Sequence, residues 1–297
     1  MSSRQPDQLR ATLIGGTAVI MWGLLALFTT LTGQVPPFLL IALAFSIATG
    51  LVVIKWIIRR ENIRHHLRQP IGAWALSVSG LFGYHFFYFM ALRNAPPVEA
   101  GLIAYMWPLL IVLFSALLPG EKLRWWHLAG AIAGLAGAVL LVTDGKGLAG
   151  FKSDYALGYG MAVICALTWS SYSVLNRRFK TVPTDTVGGF CAVTALLAAM
   201  AHLAFEQTIW PTDAVEWMAV FGLGLLPVGA AFFAWDYGTK HGQIQVLGSL
   251  AYAAPLISTL ALISFGMGEA TWIVALACLL IVGGAVLASK DMIFKGR

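Results

Sequence analysis

Charge is what this chain has least of. Only 11% of its 297 residues are Asp, Glu, Lys or Arg, against roughly 25% in soluble domains, which excludes a water-facing surface of ordinary extent. Cysteine is scarce as well. Cys165, Cys191 and Cys278 stand singly inside apolar stretches, so neither a disulfide framework nor a zinc site with short Cys-x-x-Cys spacing is indicated. No nucleotide-binding loop is present: Gly145-Lys146 lacks both the earlier glycine and the following Ser or Thr of that motif, so ATP hydrolysis is not expected. A cleaved leader is not expected either, because the first apolar stretch exceeds the ~7–15 residues of a signal-peptide core and shows no small-residue cleavage site.

What remains is apolar, with 59% hydrophobic residues and a mean hydropathy of +0.80. A bilayer-spanning helix needs about 20 such residues. Stretches of that kind fall near 11–31, 36–58, 71–93, 97–118, 125–143, 156–176, 184–205, 215–239, 244–265 and 270–289. The expected fold is therefore all-α, a polytopic membrane protein with ten transmembrane helices. Leu128 to Val142 and Trp272 to Ala288 carry no charge on any face, unlike the striped helices of a soluble protein. With the N-terminus in the cytoplasm, sixteen Lys and Arg lie on that side, including Arg59, Arg60, Arg64, Arg68, Arg177, Arg178, Lys295 and Arg297. Arg93, Lys146 and Lys152 lie on the other. That asymmetry predicts cytoplasmic N- and C-termini. It accounts for the net charge of +6 through topology and anionic lipid heads, with no nucleic acid partner.

The segment Gly101-Leu-Ile-Ala-Tyr105-Met-Trp107-Pro108-Leu recurs as Gly248-Ser-Leu-Ala-Tyr252-Ala-Ala254-Pro255-Leu, an offset of 147 (255 − 108). The same offset pairs Trp22 with Trp169, Trp125 with Trp272, and Ala136-Gly-Ala-Val-Leu140 with Gly283-Gly-Ala-Val-Leu287. The chain reads as two related halves, 1–150 and 151–297, of five helices each, together forming one transport domain. Five is odd, so the second half enters the membrane from the opposite face and the repeat is inverted. In transporters so built the substrate site lies near the midplane between repeats. Pro108 and Pro255 fall about ten residues into their spans, near mid-depth. Each breaks a helical hydrogen bond, and the pair is expected to act as hinges.

Tryptophans near span ends, among them Trp56, Trp74, Trp125, Trp126, Trp210, Trp217 and Trp272, fit the membrane interface. Trp22, Trp107 and Trp169 fall deep instead. Polar-tipped aromatics lie beside them at helical spacing, and such tips seek partners that lipid lacks. The expected substrate cavity is lined by Trp22, Tyr84, His85, Tyr88, Tyr105, Trp107, Trp169, Tyr172, Trp235 and Tyr252. Plain aromatic packing between helices is the competing reading, although phenylalanine would serve it better. Asp236 and Lys240, four apart on one helix, form an ion pair or a coupling site. His85 is the best proton-handling candidate. Gly130, Gly134 and Gly137 in span five and Gly283-Gly284 in span ten allow close helix approach, for scaffolding or for a homodimer. Paired catalytic groups and metal-ligand clusters are absent from the spans, so no enzyme activity, cofactor or metal is expected.

Tyr105-Met-Trp107-Pro108, Trp169-Ser-Ser-Tyr172 with Asn176-Arg177, Trp235-Asp-Tyr-Gly238 with His241-Gly242, and Tyr252-x-x-Pro255 resemble the YddG-type aromatic amino acid exporters. These belong to the EamA-type branch of the drug/metabolite transporter superfamily. The resemblance covers nearly the whole chain and implies ten spans, a five-plus-five inverted repeat and alternating access in a bacterial inner membrane. It implies export of amino acids, aromatic ones above all. Asp236 stands where that group has an amide and His85 where it has an acidic residue. Transport of a sugar nucleotide or of a toxic organic cation is the alternative, with an intramembrane enzyme a remote third.

Overall fold

The computed structural model describes residues 4–146, 152–266 and 269–291, and among these every regular element is helical. The expected junction at 150/151, and Lys295 and Arg297 of the charge count, lie outside the described residues. The long helices are α1 (Asp7–Leu31), α2 (Pro37–Ile58), α3 (Ile71–Asn94), α4 (Pro97–Ser115) and α5 (Trp125–Thr143). They continue with α6 (Ala156–Leu175), α7 (Thr184–Phe205), α8 (Ala214–His241), α9 (Ile244–Ser264) and α10 (Trp272–Ala288). Eight of them are long and apolar enough to cross a membrane by length and composition. Of the two others, α10 is a shorter apolar helix of 17 residues and α6, 20 residues long, is less apolar through Thr168, Ser170, Ser171 and Ser173. The chain is a polytopic helical membrane protein.

Side chains that a water-soluble bundle would hide are exposed on the outside, among them Leu13, Ile20, Leu196, Leu203, Leu279 and Val282. Hydrocarbon is their natural solvent. Trp125, Trp210, Trp217 and Trp272 are exposed near helix ends, as an interfacial role requires. Trp56 is a correction: it is buried, stacked on His66 at 4.9 Å between ring centres.

Helix ends repeat at the same offset of 147 as the sequence. Pro37–Ile58 matches Thr184–Phe205 at both ends, and Pro97–Ala104, the first segment of α4, matches Ile244–Ala251, the first segment of α9. Two wide π-helical turns, Ser79–Gly83 in α3 and Leu226–Ala230 in α8, match as well. Packing follows the same exchange: α1 lies on α8 and α9, and α6 lies on α3 and α4. The two halves are thus interleaved. Equivalent helices meet antiparallel. In the α2–α7 pair Val52 lies against Gly188 while Phe38 meets Phe205, and in the α5–α10 pair Gly130 faces Gly284 while Gly137 faces Ala277.

The α5–α10 contact is backbone on backbone. A Cβ at Gly130 would lie 2.4 Å from the Gly284 carbonyl oxygen, and one at Gly284 would lie 2.5 Å from that of Gly130. Gly134 makes room for Tyr252, and Gly137 for Ile281. These glycines, expected to scaffold or to join two copies, are used inside one chain, and of the five only Gly283 meets nothing within 4 Å. Gly130→Val therefore forces the helices apart and costs at least about 1–3 kcal/mol. Gly283→Ala stays within about 0.5 kcal/mol of the wild type or gains slightly from helix propensity. Thermal unfolding of the purified protein in detergent, followed by intrinsic fluorescence, distinguishes the two.

Candidate functional site

Four tryptophans from four helices meet at the centre of the bundle. Trp22 of α1 lies 6.1 Å from Trp107 of α4, 5.7 Å from Trp169 of α6 and 5.0 Å from Trp235 of α8, measured between ring centres. Most of these contacts are edge-to-face or tilted, the arrangement that ring quadrupoles favour. Phe232 stacks on Phe45, 5.5 Å apart and nearly parallel, and closes one side. Tyr84 lies against Trp169 at 5.3 Å and stacks with Tyr88 at 6.0 Å.

The wide turns fix two of these rings. Trp22 Nε1 donates to the Pro227 carbonyl at 3.1 Å, inside the wide turn of α8. His85 Nδ1 bonds the Leu81 carbonyl at 2.7 Å, inside the wide turn of α3. A carbonyl only accepts, so Nδ1 of His85 carries the hydrogen. The imidazole is otherwise hemmed in by Phe45 and Tyr84, at 5.6 and 5.4 Å.

Beside this cluster is a cavity of about 560 Å³, within the ~300–1,000 Å³ typical of small-molecule sites. Seven of the ten expected residues line it: Trp22, Tyr84, His85, Tyr88, Tyr105, Trp107 and Trp169. The remaining lining comes from α1, α2 and α3 toward the 32–36 and 95–96 connections, where Thr29 and Thr30 are exposed, from Val35, from the middle of α8 and from Ala254 of α9. It contains no Asp, Glu, Lys or Arg.

Three expected lining residues lie elsewhere. Tyr252 is fully buried in the joint of α4, α5 and α9, where its hydroxyl accepts from the Leu109 N–H at 3.1 Å. That N–H lies just beyond the break between Pro97–Ala104 and Trp107–Ser115, and Tyr252, at the second break, is the counterpart of Tyr105 in the first. Both helices are thus interrupted shortly before Pro108 and Pro255. Tyr172 packs on Gly80, and Trp235, with 0% exposure, donates to Ser173 Oγ at 3.0 Å. Tyr172 and Trp235 lie on the far side of the cluster, toward the end bearing Arg59, Arg60, Arg64 and Arg68, here termed the basic end.

Below Trp235 the path is sealed by polar groups. Asp236 Oδ2 accepts from Lys240 Nζ at 2.9 Å and from Thr184 Oγ1 at 2.7 Å, and its Oδ1 accepts from Asn176 Nδ2 at 3.0 Å. Lys240 Nζ also donates to the Val182 carbonyl at 3.0 Å. Asp236 and Lys240 are 0% and 1% exposed. Nearer the surface, Arg177 pairs with Glu121 at 3.0 Å and donates to the Gly242 carbonyl, while Gln245 donates to Glu121. Also at the basic end, Glu61, His66 and Asp185 gather donor atoms within 4.8 Å, but Glu61 is bonded to His66 and Asp185 to Lys55. The opposite end has its own ties: Glu206 accepts from the Phe38 and Leu39 N–H groups and bonds His202, and Tyr159 bonds Glu99.

The sequence pattern of the EamA-like transporter family matches the chain twice, over residues 9–143 and 156–290, which are again 147 apart. The chain belongs to the EamA-like transporter family. Among its relatives, the "Aromatic amino acid exporter YddG" of Ancylobacter novellus is 53% identical over 94% of this chain and 96% of its own length. The Escherichia coli exporter of the same name is 24% identical, over 94% and 96% of the two chains. A solved crystal structure superposes with a TM-score of 0.89 at 52% identity, covering 95% of this chain and 98% of its own.

Membership of a transporter family agrees with the central cavity and with the polar seal on one side of it. Sequence reasoning missed Phe89 and Pro227 as lining residues, along with the partners of Asp236. Pro227, a lone mid-span proline without a repeat partner, was the available signal for the wide turn. The seal generates a test of stability. Lys240→Met leaves a buried carboxylate without its cation and costs on the order of 3–5 kcal/mol, whereas adding Asp236→Asn recovers most of that loss. Chemical or thermal unfolding of both variants checks the order.

Proposed function

We propose that this chain is a ten-span amino acid exporter of the bacterial inner membrane, with aromatic amino acids as its foremost cargo, working by alternating access. The observation that carries the reading is the cavity of about 560 Å³, walled by Trp22, Tyr84, Tyr88, Tyr105, Trp107 and Trp169 at the junction of the two halves. Aromatic walls bind planar side chains by stacking and edge contacts. The absence of any Asp, Glu, Lys or Arg in the lining disfavours a sugar nucleotide, whose phosphates would need a cation in the path. The name of the Ancylobacter novellus relative, at 53% identity, supports the same cargo.

In this reading α6 and α10 complete the ten spans, and residues 1–150 and 151–297 form the two inverted repeats. The basic end faces the cytoplasm, in line with the distribution of Lys and Arg. The described conformation is then open to the outside and sealed toward the cytoplasm. Exchange of shape between the halves, with Pro108 and Pro255 as hinges, carries the cavity from one side to the other.

Counterflow in proteoliposomes with labelled tryptophan, phenylalanine, threonine and glutamate tests this. Protein-dependent exchange strongest for tryptophan and phenylalanine is expected, and signals equal to protein-free vesicles for all four would sink the reading. Trp169→Ala and Tyr105→Ala each lower aromatic flux about three- to ten-fold per folded molecule, from ~0.5–1.5 kcal/mol per lost aromatic contact, a larger loss than either causes in the yield of folded protein. Normal flux in both variants would remove the cavity from the path.

A further inference from the structure

The cavity has a sealed counterpart. Moving its lining residues on by 147 positions takes Ala26 to Ser173, Thr29 to Asn176, Val35 to Val182, Pro37 to Thr184, Phe89 to Asp236 and Leu92 to Thr239. Every one of these lies in the polar network below Trp235 or supplies a bond to it. The open half of the path is lined by apolar groups, aromatic rings and hydroxyls, with no Asp, Glu, Lys or Arg. Its mirror image is closed and holds a full charge of each sign.

The closure itself does not call for those charges. Removing two charges from water costs several kcal/mol per ion, and well-packed apolar residues commonly replace a buried pair without loss. The mirror positions hold no such pair: Phe89 stands where Asp236 does, and Arg93, the counterpart of Lys240, donates to the Phe205 carbonyl from an exposed position. Ionisable groups within a membrane point to function. Asp236 and Lys240 lie 2.9 Å apart, directly beneath the aromatic cluster through Trp235.

We propose that Asp236 and Lys240 form the cytoplasmic loading site, which binds the zwitterionic head of the amino acid when the basic end opens. The inference rests on the reading of the chain as an amino acid exporter. Asp236 receives the α-ammonium and Lys240 the α-carboxylate, so one ion pair is exchanged for two. Asn176 and Thr184 keep the carboxylate of Asp236 oriented, and Trp22, Trp169 and Trp235 receive the side chain. When the basic end closes, Asp236 and Lys240 pair again and the head moves into an outer cavity that offers it no charged partner. The two faces then differ in affinity: tight loading inside, weak holding outside. Such a difference sets the half-saturation on each face and leaves the equilibrium distribution of cargo to the gradients.

The test uses the full chain in inside-out and right-side-out membrane vesicles. Labelled phenylalanine entry is measured in competition with 2-phenylethylamine, which lacks the carboxylate, and 3-phenylpropanoate, which lacks the ammonium. At the cytoplasmic face of the wild type each analogue competes at least about ten-fold less well than phenylalanine, the effect of one lost charged contact. At the outer face the three agree within about three-fold. In Asp236→Asn/Lys240→Met, which buries no charge, cytoplasmic half-saturation for phenylalanine rises at least about ten-fold and the preference over both analogues disappears. Wild-type discrimination that is equal on the two faces overturns the assignment, as does a double variant that keeps the wild-type preference. If the double variant does not fold, the wild-type comparison decides alone. A wild type that carries no amino acid from either face overturns the exporter reading itself, and this assignment with it.

Discussion

Backbone groups inside a bilayer have no water to fall back on, so each irregularity in a spanning helix must be tied to a partner. This bundle has wide turns at Ser79–Gly83 and Leu226–Ala230 and breaks before Pro108 and Pro255. At three of these four the partner is an aromatic side chain: His85 on the Leu81 carbonyl, Trp22 on the Pro227 carbonyl and Tyr252 on the Leu109 amide, beside Pro108. Two of these three rings line the cavity. The irregularities that would weaken an isolated helix therefore hold the walls of the site in place. Weakening one such bond disturbs both the helix and the path.

Around that centre the structure is nearly symmetric in backbone and strongly asymmetric in side chains. Helix ends, wide turns and packing partners repeat at an offset of 147, while Trp107 corresponds to Ala254, His85 to Phe232 and Phe89 to Asp236. In the proposed cycle the shared backbone is what lets either half adopt the shape of the other. The differing side chains make the two ends of the path chemically unlike, one open and without Asp, Glu, Lys or Arg, the other sealed around Asp236 and Lys240. Gly130 and Gly284 bring α5 and α10 together backbone to backbone, away from the cavity.

Much of this was legible in the sequence because duplication and depth leave marks in the order of residues. The offset of 147, the helical character, the breaks ahead of both prolines and the deep positions of Trp22, Trp107 and Trp169 all followed from spacing. The Asp236–Lys240 pair followed from its i, i+4 relation. Its other partners, Asn176, Val182 and Thr184, come from 52 to 60 positions away and needed the fold. Tyr172, Trp235 and Tyr252 were expected in the cavity because sequence shows depth but not which end of the path is closed. The two tyrosines of the repeated motif parted for the same reason: Tyr105 faces the cavity, and Tyr252 serves the joint of α4, α5 and α9. Small residues on α5 and α10 announced close packing without saying that each helix was the other's partner.

The central claim is that the open and sealed halves exchange roles during transport. Single cysteines at Ala26 and Ser173, mirror positions on the two sides of the aromatic cluster, report on it directly in a protein whose Cys165, Cys191 and Cys278 have been replaced. Their rates of modification by a small water-soluble thiol reagent are measured from the outer and the cytoplasmic side while phenylalanine is varied. The account predicts opposite changes: conditions that speed labelling of Ser173→Cys from the cytoplasm slow labelling of Ala26→Cys from outside. Parallel changes at the two positions, or a Ser173→Cys that stays unlabelled while transport proceeds, would contradict it.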